Sequence, residues 1–350
     1  MFEYVGAFHV HTTYSDGTGE VEEIAGYANE VGLDFIAIND HNTLRALEDG
    51  KEKWHDDTLV IVGSEINDRN NKNHYLAYGI NESLSTRSSA AEYVSKVKKL
   101  GGVGFIAHPH EKRDSMKEHP PYPWTDWDVK DFDGIEIWNH MSEWMEGLTE
   151  QNKYNRFVHP LRSIVAPSKE TLKVWDELNL ERRVVGIGGV DAHAHKINLM
   201  GFFEVEVFPY KVLFKSIRTH VFLKNRLPKS NEKIDLVVAK TQILESLRCG
   251  KCFVSNYYHG DAKGFRFFAE DGSKIYQMGD NVPFSEKIKL RVILPNDSCA
   301  IRLIYNGKQI DEVENIDAEF IVNKRGIYRV EVYISGNAWI FSNHIRIGLD

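Results

Sequence analysis

The chain has 350 residues, 42% of them hydrophobic and 27% charged, which is an ordinary globular composition long enough for one large domain and a smaller one. Its 51 acidic against 43 basic residues leave a formal charge of −8, which argues against a long nucleic acid partner. No apolar run approaches the roughly 18 residues of a membrane span. The start "MFEYVGAFHVH" lacks the basic and apolar regions of a signal peptide, so the expectation is a cytoplasmic, non-membrane protein.

Short apolar runs alternate with helical patterns up to about residue 250. The predicted strands are 4–11, 33–39, 58–65, 74–80, 102–108, 132–139, 184–193 and 202–208. Between the first two, "GEVEEIAGYANEVG" starts acidic and ends in glycine. Before residue 102, "SSAAEYVSKVKKLGG" starts with serines and ends in lysines and glycines. Both carry the caps and dipole charges of helices. Repeated strand–helix–strand units predict a mainly parallel sheet wrapped by helices, preferably closed as a distorted barrel. Residues 140–180 form a helical insertion that could roof a site, and 238–248 is a further helix. After about residue 255 the period changes to short alternating strands with Gly, Asn and Asp turns. The predicted organisation is therefore an α/β domain over 1–255 and a small antiparallel β-sandwich over 256–350. "YNGKQI" within the second part is a hairpin signal.

Cys249 and Cys252 make a lone CxxC in "LRCGKCFVS". It ends a helix rather than starting one, and the only other cysteine is Cys299. Reactive thiol pairs gain their low pKa at helix starts, and structural zinc needs four ligands, so the thiols read as ordinary and reduced.

The predicted strands end in unusual polar residues. Residues two apart share one face of a strand, so His9 and His11 can aim at one ion, as can Asp191 and His193. Asp16 follows the first strand. "AINDHN" supplies Asp40 and His41, "VGSE" Glu65, "NHYLAYG" His74, "IAHPH" His108 and His110, and "IEIWNH" Glu136, Asn139 and His140. One histidine alone would be unremarkable. Imidazoles and carboxylates from separate units at one end of the sheet, with no thiolate, suit two or three divalent ions such as Mn, Fe or Zn. His110 and Arg113 in "HPHEKRD" could contact a substrate phosphate or carboxylate. Asp40 could orient a metal-bound histidine or cap a helix. "KEHPPYPWTDWD", with His119, Tyr122, Trp124 and Trp127, could line a pocket.

The set "HVHTTYSDG", "GLDFIAINDHN", "VGSE", "NHYLAYG", "AHPH" and "GGVDAH", in that order, resembles the polymerase and histidinol phosphatase (PHP) superfamily. The resemblance implies a distorted (β/α)7 barrel with two or three metals at one mouth. Carried across by motif, His9, His11, Glu65 and Asp191 hold the first ion. Glu65, His74 and His108 hold the second, with Glu65 as bridge, and Asp16, His41 and His193 hold the third. Asp16 stands where several relatives have histidine, and Asn39 replaces the usual threonine before the Asp-His pair. The stretches "VFPYKVLFKSIRTHVFL" and "LRCGKCFVSNYYHGD" resemble the branch containing carbaryl hydrolase.

The implied function is a metal-dependent phosphoesterase acting on a small phosphate ester or nucleotide through a metal-bridging hydroxide. Asp191 and His193 are the candidate proton relay, and His110 is a candidate acid toward the leaving oxygen. His110, Arg113 and Asn139 are candidate substrate contacts. Hydrolysis of a carboxylic or carbamic ester or amide is the alternative, and a non-catalytic metal-containing binding protein is the other. The sequence leaves the oligomeric state open.

Overall fold

The computed structural model describes residues 1–113, 120–199, 203–296 and 298–349. His119 lies outside the described residues. Seven strands close into a barrel: β1 (Phe2–Val10), β2 (Phe35–His41), β3 (Thr58–Ile66), β4 (Tyr75–Tyr78), β5 (Val103–Ile106), β6 (Gly134–Asn139) and β7 (Val185–Ala192). They pair in chain order, and β7 returns to β1. β3 is buried at every position, as a strand covered on both faces must be.

Only β4 runs against its neighbours; it is antiparallel to both β3 and β5. Residues 67–74, the link from β3, are too few for the dozen or more that a parallel crossover needs. The reversal has a functional consequence. His74 precedes β4, so the start of a reversed strand brings it to the mouth where the other strands end.

Helix α1 (Val21–Glu30) buries Val21, Ile24, Ala25 and Ala28. In α2 (Ala90–Lys99) the Glu92 carboxylate accepts from the Ser89 N–H at 2.7 Å, closing a capping box at the serine start of the helix. The expected insertion folds as α3 (His140–Glu146), α4 (Lys153–Val158) and α5 (Lys169–Glu181). The predicted strand at 202–208 is shorter and lies outside the barrel. Its described part, Phe203–Glu206, pairs with Lys196–Leu199 in a separate two-stranded ribbon.

The run Ile217–Leu223, not among the predicted strands, forms β8. It pairs antiparallel with the first half of β1, while β7 takes the second half. The sheet therefore forks at β1. One branch closes the barrel; the other continues through β8 to β9 (Cys252–Asn256) and then to Asn337–Ser342. Helix α6 (Lys233–Arg248) joins β8 to β9. A second sheet of four strands, Lys274–Gln277, Arg266–Asp271, Ile288–Ile293 and Asp317–Val322, completes the C-terminal part. Phe253, Phe265, Leu290, Val330 and Trp339 belong to one apolar core there. The "YNGK" hairpin forms, with Asn306 and Gly307 at φ 47° and 78°, the conformation that tight two-residue turns demand.

Two buried polar ties hold distant segments together. The Asp176 carboxylate on α5 takes Arg329 at 2.8 and 2.9 Å and His344 at 2.7 Å. The other lines up Ser255, His220 and Glu3 at 3.0 and 2.8 Å. That order resembles a hydrolytic relay, but Ser255 and His220 are fully buried and no substrate can reach them. It is a tie between β9, β8 and β1. Cys252 is buried, and burial pushes its thiol pKa up. Asn343 donates to its sulfur at 3.2 Å. Among the described residues, no helix is long and apolar enough to cross a membrane.

Candidate metal centre

Nine residues from six barrel strands and their flanking loops converge at one mouth: His9, His11, Asp16, His41, Glu65, His74, His108, Asp191 and His193. Glu65 is the centre. One carboxylate oxygen lies 3.3 Å from His9, 3.3 Å from His11 and 3.2 Å from His41. The other lies 2.7 Å from His74 and 3.3 Å from His108. Asp191 stands 3.4 Å from His9, 3.6 Å from His11 and 3.6 Å from His193. Asp16 stands 3.5 Å from His11, 3.6 Å from His41 and 3.4 Å from His193.

The donor atoms form four overlapping groups: His11–Asp16–His41–His193, His9–Glu65–His108, His9–His11–Asp191 and His41–Glu65–His74. These groups share His9, His11 and His41 in a way the motif-based partition into three sets does not.

Local backbone shape aims these side chains. Between Ala7 and Val10, β1 carries an extra residue relative to β2. Between Gly189 and Ala192, β7 carries one relative to β1. The residues at these bulges, His9 and Asp191, have φ of 64° and 54°, and His108 has 25°. Bulges at barrel rims re-aim side chains, and left-handed backbone at non-glycine residues marks stored strain. His9 and His11 therefore share a target through a bulge and not by simple alternation.

Electrostatics matches an ion site. Burial disfavours charge on Glu65 and Asp191, yet the surrounding imidazoles hold both pKa values well below the usual carboxylate range. Burial also opposes charge on His9, His11 and His108, but nearby carboxylates overcome it. His9 is raised well above its ordinary value, and His11 and His108 rise to about 9. His193 falls to about 3, through burial and the neighbouring His11. Buried ring nitrogens of His9 (Nε2), His11 (both), His74 (Nε2) and His108 (Nδ1) have no hydrogen-bond partner. Buried polar atoms are normally satisfied, and a divalent cation would satisfy these. The residues present fit such ions.

The other candidates are distributed around this centre. Asn139 donates to Glu136 at 2.8 Å and to Asp191 at 3.3 Å, and its oxygen caps α3. His140 turns away to Ser216 at 2.8 Å, and burial lowers its pKa to about 3. Arg113 pairs with Glu111 at 2.6 Å and covers the Tyr122 ring. His110 meets Thr171 at 3.0 Å and stacks on Trp127, facing a neighbouring cavity of about 270 Å³. Asp40 contacts neither a metal-site histidine nor a helix end. It takes the Thr12 N–H at 2.8 Å and the Thr12 and Ser15 hydroxyls at 2.7 Å, fixing the loop that carries Asp16.

Two contributions were not among the expected ligands or substrate contacts. Glu136 meets His9 Nδ1 at 3.1 Å; a carboxylate inside the apolar strand "GIEIWN" was its only signal. The loop after β3 brings Asn67 and Arg69 to the rim of the main cavity. That cavity, about 710 Å³, opens over Glu65, Asp191 and His193, with Met141, Met145, Phe157 and Phe208 as an apolar wall. Met141, Met145 and Phe157 come from the helical insertion, which therefore lines this cavity.

Part of the chain matches a known family. Residues 7–156 match the PHP domain family. Over those residues the chain is similar to that family, and its donor clusters could hold one or more divalent ions. It is 25% identical over 181 residues to an uncharacterized protein of Methanocaldococcus jannaschii, covering 48% of this chain and 97% of that one. It is similar to a two-domain protein of Bacteroides vulgatus containing a predicted PHP-like metal-dependent phosphoesterase, at 15% identity and TM-score 0.46, covering 98% and 95% of the two chains. It is also similar to an amidohydrolase of Chromobacterium violaceum, at 12% identity and TM-score 0.33, covering 54% and 87%.

Proposed function

We propose that the chain hydrolyses a small phosphate ester or nucleotide with the help of two or three divalent ions. The observation that carries this reading is the Glu65 carboxylate meeting five histidine rings at the floor of an open cavity. His9, His11 and Asp191 would hold one ion, His74 and His108 a second, with Glu65 shared, and Asp16, His41 and His193 a third. Imidazole and carboxylate without thiolate favour Mn, Fe or Zn. Bound there, the ions supply activated water near neutral pH and offset charge developing on substrate oxygens.

The chain's own side chains bind and orient. Arg113, held by Glu111, lines the cavity and can contact an anionic group of the substrate. Asp191 and His193 line it too and are the proposed pair for moving a proton between the cluster and the substrate. The contacts of His110 with Thr171 and Trp127 fit support of the loop after His108 better than proton donation.

A second reading is hydrolysis of a carboxylic or carbamic ester or amide, as the likeness to the carbaryl hydrolase branch suggests. The apolar wall of Met141, Met145, Phe157 and Phe208 favours it, because such a wall suits an uncharged substrate body. The test is metal analysis of the purified protein, followed by turnover of an aryl phosphate, the matching aryl ester and an aryl amide, with Glu65→Ala as control. Phosphate release that Glu65→Ala abolishes supports the first reading. Ester or amide cleavage alone supports the second. Full metal content without turnover of any of them would make the chain a metal-containing binding protein.

A further inference from the structure

We propose that Glu136 is the positioning residue of the metal centre. It sets the tautomer of His9 and fixes three ligand-bearing segments at once. The inference rests on the metal-site reading, and not on the phosphoester reading.

Glu136 is 1% exposed. Its Oε1 faces His9 Nδ1 at 3.1 Å. Its Oε2 accepts from the backbone N–H of His108 at 2.9 Å and from the Asn139 amide at 2.8 Å. The same Asn139 amide reaches Asp191 at 3.3 Å. One carboxylate thereby registers His9 on β1, His108 after β5 and, through Asn139, Asp191 on β7.

The tautomer follows from the donor inventory. An ionised carboxylate only accepts, so the ring nitrogen facing it carries the proton. His9 Nδ1 is then N–H. In the neutral ring the lone pair is left on Nε2, the nitrogen 3.3 Å from Glu65 and 3.4 Å from Asp191. That nitrogen has no hydrogen-bond partner and points into the cluster. Partners of this kind on the far nitrogen of a metal-bound histidine fix both tautomer and ring orientation.

An independent feature of the sequence makes room for this arrangement. A Cβ at Gly189 would lie 1.8 Å from Glu136 Oε1 and 3.0 Å from the His9 Cβ. The second glycine of "GGVDAH" thus has a spatial reason: any side chain there displaces the carboxylate from His9.

Glu136→Gln is nearly isosteric but cannot reproduce the pattern. Two N–H groups converge on the Oε2 position, so the amide oxygen must occupy it. The amide NH2 then faces His9 Nδ1, which must become an acceptor and pass its proton to Nε2. His9 is thereby withdrawn from the cluster.

The experiment uses the full chain with Zn2+ as probe. Zinc affinity is measured by chelator competition for wild type, Glu136→Gln and Gly189→Ala. Histidine tautomers in the zinc-loaded proteins are read from long-range 1H–15N correlations. Both variants are expected to lose about 10–100-fold in affinity. His9 should be protonated at Nδ1 in wild type and at Nε2 in Glu136→Gln. Gly189→Ala keeps the carboxylate and moves it, so it tests the idea even if Glu136→Gln fails to fold. Affinity within about twofold of wild type in the folded variants, or a wild-type His9 without a proton on Nδ1, would overturn the proposal. Failure of phosphate turnover in wild type would sink the phosphoester reading and leave this one standing.

Discussion

The tie between α5 and the C-terminal strands offers the clearest test of what holds the two parts together. Asp176, Arg329 and His344 are 4%, 3% and 3% exposed. Asp176 receives Arg329 through two nitrogens at 2.8 and 2.9 Å, and His344 at 2.7 Å. Asp176→Asn replaces one acceptor oxygen with a donor that faces other donors, and it removes the negative charge beside a buried guanidinium. Breaking a buried pair by removing one partner costs about 3–5 kcal/mol. Glu331 still meets Arg329 at 2.6 Å and moderates the loss, so about 3 kcal/mol is expected, at the lower end of that range. Urea unfolding should show a lower midpoint at unchanged slope. Adding Arg329→Met should recover part of the loss, because the stranded cation is then gone. Zinc affinity of the folded variant should not change, since none of these residues approaches the cluster. A loss below about 1 kcal/mol would refute the view that this pair is a buried ionic tie.

The remaining tests are shorter. Burial keeps the His140 ring neutral, with its pKa lowered to about 3, whereas the unfolded ring protonates below about 6.5. Its contribution is therefore intact above pH 6.5 and declines below it, by up to about 1.4 kcal/mol per pH unit. Urea unfolding at pH 7.5 and 5 should show wild type losing more than His140→Gln; equal losses would contradict this. Arg113→Ala should raise KM for an anionic substrate several-fold with kcat little changed, and an unchanged KM would remove Arg113 from substrate binding. Cys252, buried with its thiol pKa pushed up, should resist iodoacetamide in the native protein while Cys249, which is partly exposed, reacts. Alkylation of Cys252 at the rate of a free thiol would contradict the packing.

Much of the barrel was legible because its signals are local. Apolar runs, capping residues and a strand-ending His, Asp or Glu can each be read within a few positions. The reversal of β4 was not, because it depends on loop length and pairing and not on composition. Nor was β8: Ile217–Leu223 follows four helical residues and carries Arg218, Thr219 and His220, so it lacks the continuous apolar run of its neighbours. Those polar residues are satisfied by partners remote in sequence, such as Glu3 for His220. At the mouth, motif order brought forward residues that the fold gathers into one cluster. It could not reveal that Glu136 stands behind His9, since a lone strand carboxylate gains meaning only from what faces it across the barrel. It also gave no sign that His110 looks into the adjacent cavity, because the chain turns at Pro109 between two histidines of the same motif.

The bulges at His9 and Asp191 allow the strain of the mouth to be measured separately from its chemistry. His9 adopts φ 64° with no exposed surface, so its backbone is held by the strands on either side. For a residue with a Cβ this conformation costs roughly 1–2 kcal/mol, and glycine is exempt. His9→Ala and His9→Gly both remove the imidazole and leave the same neighbours unpartnered. They differ in the Cβ, which strains the native backbone in Ala, and in the greater freedom glycine has when unfolded, which offsets about 0.4–1 kcal/mol. The strain matches or exceeds the offset, so His9→Gly should be as stable as His9→Ala or more so, by up to about 1.6 kcal/mol in urea, against the usual order at a strand position. The same pair of substitutions at Val5, a regular position earlier on β1, should give the usual order, with Ala the more stable. If Ala is the more stable at position 9, as it is at a regular strand position, the left-handed backbone there is not a strained one. The strands would then not be forcing the imidazole toward Glu65, and its aim would have to come from the Glu136 contact alone.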